Sequence, residues 1–152
     1  MRVLRNIVGI ILISAAFFVL ISLGEAQLLN DYVSGVSGPI EEWIDTFRFW
    51  ANVGVGTALG ASLLWYILAQ WAFILNDWRR SSKRLIWLLF FLFPIIAIIL
   101  GIVFTPTPQE GRWWPYFFYV GNPLLCYYLC TLLFSPSSFK YTPLGASKIR
   151  YW

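Results

Sequence analysis

Cys126 and Cys130, in CYYLC, are the most reactive-looking pair in the chain. One helical turn apart, they share a face, and two thiols so placed could hold a soft metal such as copper(I). No His exists anywhere in the sequence and no Met lies near the pair. Two thiols without such neighbours usually act as small buried hydrophobes, so the expectation is no metal and no cofactor. The missing His also removes the usual zinc and haem ligand sets, and two cysteines give no support for a disulfide framework.

Catalysis needs a proton-transfer group, or a nucleophile with an activating partner. The long apolar runs of this chain contain no carboxylate and no amine, and the expectation is that it is not an enzyme. Proton- or cation-coupled transport usually relies on an acid or base kept inside the membrane at a cost of about 2.5–3.5 kcal/mol or more, and every such position is empty here. The strongest polar feature is Asn122 in Gly121–Asn122–Pro123. A proline there frees the carbonyl of Tyr119, and such broken helices line transporter sites. A single break without a counterpart in an internal repeat carries little weight.

These residues sit in a chain of 152 residues that is 59% hydrophobic and 12% charged, where a soluble domain has roughly 25% charged residues. A water-soluble fold of this size could not hide so much apolar surface. The formal charge of +4 does not indicate a nucleic-acid partner, because the cations are dispersed at the ends of apolar runs and form no basic stripe.

The organising element is Ala51–Leu75, followed by the basic block Asn76–Arg84. At about 1.5 Å per residue it reaches roughly 37 Å, against a hydrocarbon core of about 30 Å. The other predicted spans are Ile7–Leu23, Leu85–Phe104 and Trp113–Phe134. Positive residues are retained on the cytoplasmic side. Arg2, Arg5, Arg79, Arg80, Lys83, Arg84, Lys140, Lys148 and Arg150, nine of the eleven cations, fall on one side if both termini are cytoplasmic. Of the acids, only Asp77 falls with them. For the first run a cleaved signal peptide ending near Gly24–Ala26 competes with a retained span, and its length favours the span.

Residues 24–50 are acid-rich, which suits the outer face. Ser37 as N-cap, Pro39 in the first turn and the acids after it predict a helix start. Ile40, Trp43, Ile44, Phe47 and Trp50 form one apolar stripe, giving an amphipathic helix over 39–50. A bend near Trp50–Asn52 would lay it on the outer surface, with Trp43, Ile44 and Phe47 as an outer-face contact. On the following span, Asn52, Gly56, Gly60, Leu63, Ile67 and Gln70 fall in an arc of about 80°. Gly56 and Gly60 make a GxxxG, which permits close helix approach in lipid, while Asn52 and Gln70 could hydrogen-bond a neighbour. Tyr119, Asn122, Cys126 and Cys130 share a similar arc on the last span, and the two stripes are predicted to face each other with Asn122 near Leu59 and Gly60. Pro94 predicts a kink in the third span, whose bulky surface suits lipid. The tail, residues 135–152, reads as a loose cytoplasmic segment on anionic headgroups, with docking onto a cytoplasmic partner as the alternative.

The sequence therefore predicts an all-α integral membrane protein, a single domain of four transmembrane helices plus an outer amphipathic helix, in a bacterial inner membrane. Its partners would be the lipid bilayer and other membrane subunits or further copies of itself. The expected function is that of a non-enzymatic subunit or assembly factor of a larger complex, with Gly56, Gly60, Gln70 and Asn122 making helix contacts. The alternatives are a small oligomeric channel or transporter lined by Asn122, Gln70 and Tyr119, and a membrane immunity or exclusion protein.

Overall fold

A computed structural model describes residues 2–25, 40–71, 80–105, 116–136, 139 and 141–146. Among them there is no strand. Four α-helices follow in order: α1 Arg2–Val19, α2 Ile40–Trp71, α3 Arg80–Phe104 and α4 Tyr116–Phe134. A π-helical segment, Leu20–Glu25, extends α1. All four are long and apolar enough to cross a membrane. The N-cap expected at Ser37, the residues of the basic block before Arg80 and the aromatic belt before Tyr116 lie outside the described residues.

The central element is α2, which packs against the other three helices. Its 32 residues rise about 48 Å, well beyond a hydrocarbon core. It passes through Trp50, Ala51 and Asn52 without interruption, where a bend was expected. No Pro or Gly falls between Ile40 and Val53, so nothing there breaks the hydrogen-bond ladder. Glu41 and Glu42 occupy its first turn, at the positive end of the helix dipole.

The buried face of α2 is rotated away from the arc containing Gly56 and Gly60. It runs through Ala51, Val55, Ala58, Ala61, Trp65 and Ala69, all 5% exposed or less. Small residues along this row let neighbouring backbones come close, and that proximity supplies dispersion contacts where lipid provides no hydrophobic drive. Pro123 of α4 sits at Gly54, where an added Cβ would lie 2.7 Å from the proline ring. Likewise Gly9 of α1 leaves room for the ring of Phe134.

Both prolines lie inside helices that continue past them, Pro94 in α3 and Pro123 in α4. The interruption expected at Gly121–Pro123 is therefore absent. Instead the proline ring fills the notch over Gly54, a use of Pro that needs only a lost donor and not a broken helix. Leu85, Leu89, Leu92, Phe93, Ile96, Ile99 and Val103 of α3 are exposed, as its bulky and featureless surface implied.

Candidate functional site

Two places hold polar or steric features beyond simple packing. The first is a buried cluster where α1, α2 and α4 meet. Cys126 and Cys130 are free thiols with no exposed surface. The Ser14 hydroxyl lies 3.4 Å from Cys126 Sγ and 3.9 Å from Cys130 Sγ. Ser14 donates its hydrogen to the Ile10 carbonyl at 3.0 Å, so the thiol of Cys126 is the donor toward Ser14 Oγ. The Cys130 thiol faces the same Ile10 carbonyl at 3.8 Å. Ser62 of α2 completes the cluster beside Cys130 and donates to Ala58 O at 2.7 Å. Every polar hydrogen there has an acceptor, as a low-dielectric interior requires.

The expectation of two small buried groups describes the thiols' burial correctly, but the hydroxyls around them were missed. Ser14 and Ser62 are among the few hydroxyls inside the apolar runs, and that rarity was the available signal. Which thiol they would meet depends on how three helices dock.

A second place is the part of the arc of α2 around Gly60, which the other described residues leave uncovered. No described atom lies within 4 Å of where a Cβ on Gly60 would stand, and at Gly56 only the tip of the Phe18 ring does, at 3.9 Å. Asn122 is thus not seated on Gly60 as predicted. The stripe of α4 turns toward α1 and toward the Gly54 face of α2, because Pro123 and Gly54 are complementary in shape. Asn122 is buried and engaged inside the bundle. Gln70 and Gly60 are half-exposed, and Ile67 is exposed on the same arc. At the head of the arc, Asn52 Oδ1 is shielded from solvent and receives no hydrogen bond from the described residues. The side chain of Tyr119 lies outside the described residues.

Trp43, Ile44 and Phe47 are buried within the chain, Trp43 and Phe47 stacked at 5.4 Å. Their stripe is covered by the protein itself instead of being offered outward. The nearby Ile21 of the π-helical segment is equally buried, and that segment packs on α2.

The tail is folded, not loose, over its described part. Three successive turns close it: Phe139 N–H donates to Pro136 O, Thr142 N–H to Phe139 O, and Ala146 N–H to Pro143 O. Phe139 is 1% exposed and meets Trp65 edge-on at 5.6 Å, with Lys83 Nζ 4.6 Å above its ring. Tyr128 OH donates to Leu144 O at 2.7 Å, and Arg84 Nε to Thr142 O at 3.4 Å. Gly145 has φ +77°, the left-handed conformation that glycine adopts without a Cβ penalty. No protein-family model, curated protein or solved structure matches the chain.

Proposed function

We propose that this chain is an integral membrane protein that works by helix contact, as a subunit or assembly factor of a larger membrane complex, and docks a partner helix on the open arc of α2. The observation that carries the reading is Gly60 with empty space where a side chain would stand, next to Gly56. A notch of small residues lets a second helix approach closely in lipid, where dispersion contacts drive association. The inner-membrane orientation with both termini cytoplasmic is supported by Lys83 and Arg84, which flank the folded tail, while Glu41, Glu42 and Asp45 lie at the far end of α2. The long first part of α2 would then project beyond the outer edge of the hydrocarbon.

Retention of α1 belongs to the same reading. Ser14 satisfies the thiols of α4, and Gly9 accommodates Phe134. Cleavage near residue 26 would expose both.

Purification in nanodiscs with identification of co-purifying chains tests the proposal, using wild type and Gly60→Leu. The expected result is foreign subunits in fixed ratio with wild type, their loss with the variant, and unchanged thermal unfolding of the variant itself. An undisturbed complex with Gly60→Leu would sink the docking face. A ring of this chain alone that passes solute would favour the channel.

A further inference from the structure

The folded tail and the start of α3 share two cations where an apolar span begins. Lys83 Nζ stands 4.6 Å above the Phe139 ring, and Arg84 Nε donates to Thr142 O at 3.4 Å. Phe139 and Thr142 belong to one turn, closed by Thr142 N–H on Phe139 O, so the tail gathers both cations on one surface. A ring face and a carbonyl orient a cation without cancelling its charge. The bond to Thr142 uses one of the five donors of the guanidinium. The membrane-length segment of α3 starts at Ser81, and from the next turn onward Leu85, Leu88, Leu89 and Leu92 lie exposed along one face. On the tail, Tyr141 and Leu144 are exposed beside the same cations. Positive charge at the rim of an apolar slope matches a phospholipid, whose charge and chains are joined in one molecule.

We propose that Lys83 and Arg84, held by the folded tail, bind the phosphate of one anionic phospholipid, with its acyl chains lying along Leu85, Leu89 and Leu92. Charge complementarity names the class. Two cations attract a phosphodiester that carries net negative charge, whereas a zwitterionic lipid would bring its own ammonium to the same place. The Nη groups of Arg84 have the fork geometry that matches two phosphate oxygens, and Lys83 adds a point charge. Because tail contacts already fix both side chains, less rotamer freedom is lost on binding than for two solvated cations. That difference turns diffuse attraction to a charged surface into a site for one lipid. The inference rests on the membrane placement proposed above, and neither the open arc of α2 nor the direction in which the chain is inserted enters it.

The probe is phosphatidylglycerol, set against phosphatidylcholine with the same acyl chains. Each is titrated into the purified full chain in neutral detergent micelles, bound lipids are counted by mass spectrometry of the intact complexes, and Trp fluorescence follows folding. The expected result is one phosphatidylglycerol per chain and preference for it over phosphatidylcholine. Lys83→Gln and Arg84→Gln are each expected to weaken that binding roughly 5-fold or more. Lys148→Gln removes the same charge from the tail and is expected to leave the binding unchanged, as is Gly60→Leu, which separates this site from the docking face of α2. Equal binding of the two lipids, graded uptake of many, or a loss with Lys148→Gln as large as with Arg84→Gln would each overturn the proposal. Displacement of the lipid by an equal concentration of inorganic phosphate would overturn it too, by assigning the site to a soluble anion. Should the variants at positions 83 and 84 misfold, lipid preference and stoichiometry on wild type, with Lys148→Gln beside it, decide the matter.

Discussion

Thr131 holds Trp87, one of the largest buried side chains, in place with its hydroxyl. It accepts from Trp87 Nε1 at 3.0 Å and donates to Tyr127 O at 2.9 Å, while Tyr127 OH donates to Trp87 O at 2.8 Å. The three groups close a ring of hydrogen bonds between α3 and α4, and the rings of Trp87 and Tyr127 lie 5.5 Å apart. A parallel arrangement ties α2 to the end of α4, where Trp65 Nε1 donates to Ser135 Oγ at 3.0 Å and Ser135 Oγ donates to Thr131 O. Thr131→Val keeps the shape but leaves a buried indole N–H without an acceptor. Its expected cost is about 1–2 kcal/mol in reversible unfolding in detergent. Adding Trp87→Phe should recover part of that loss, a coupling readable in a double-mutant cycle. Trp87 and Tyr127 stand inside apolar runs, where a buried indole N–H or phenol O–H needs a partner. Long side chains on helices of unknown rotation could not be paired from spacing alone, so the partners themselves were not legible.

Helices meet where small residues let them, and glycine position is the clearest element-scale feature. Gly54 lies against Pro123 and Gly9 against Phe134, whereas a Cβ on Gly60 would meet none of the described residues. Gly54→Leu is expected to destabilise the monomer by about 1–3 kcal/mol, because the backbone and the rigid proline ring cannot yield. Gly60→Leu is expected to change monomer stability by no more than about 0.5 kcal/mol. Thermal or denaturant unfolding of both variants in the same detergent checks the contrast, and equal losses would mean that the buried face of α2 has been misassigned. The GxxxG at Gly56 and Gly60 was visible from spacing and drew attention to the wrong side for internal packing. Gly54, four residues before Ala58, has the same small-residue spacing but was not singled out. Spacing shows where a backbone can be approached, but the choice of neighbour depends on the proline that α4 brings to the same depth.

Across the whole molecule, charge and fold agree on two unlike ends. One end gathers the close of α2, the start of α3, the close of α4 and the folded tail, with Lys83 over Phe139 and Arg84 on Thr142 O. Asn6 near the start of α1 donates to Tyr66 OH at 3.3 Å, which brings the first helix to that end as well. The opposite end carries Glu41, Glu42 and Asp45. A reporter fused after Trp152 is therefore expected on the cytoplasmic side, and protease or label access from the exterior would reverse the orientation. The exposed faces of α1 and α3, including Leu12, Val19, Leu89 and Ile96, are apolar enough to lie directly in hydrocarbon.

By itself the sequence determined the class of the protein. Continuous apolar runs of about 20 residues with few charges point to helices, which satisfy every backbone group within one segment in such a medium. Four helices appear where the runs are, with bounds moved by a few residues except at α2, which begins at Ile40, well before the predicted Ala51. Tertiary structure decided the rest: which arc of α2 is buried, that α2 continues through Trp50, that the tail folds over Trp65, and that Ser14 and Ser62 join two thiols. Each of these depends on the rotation and depth of one helix against another. Those two quantities arise from shape complementarity between surfaces distant in the chain, and a one-dimensional pattern records only the periodicity within each helix.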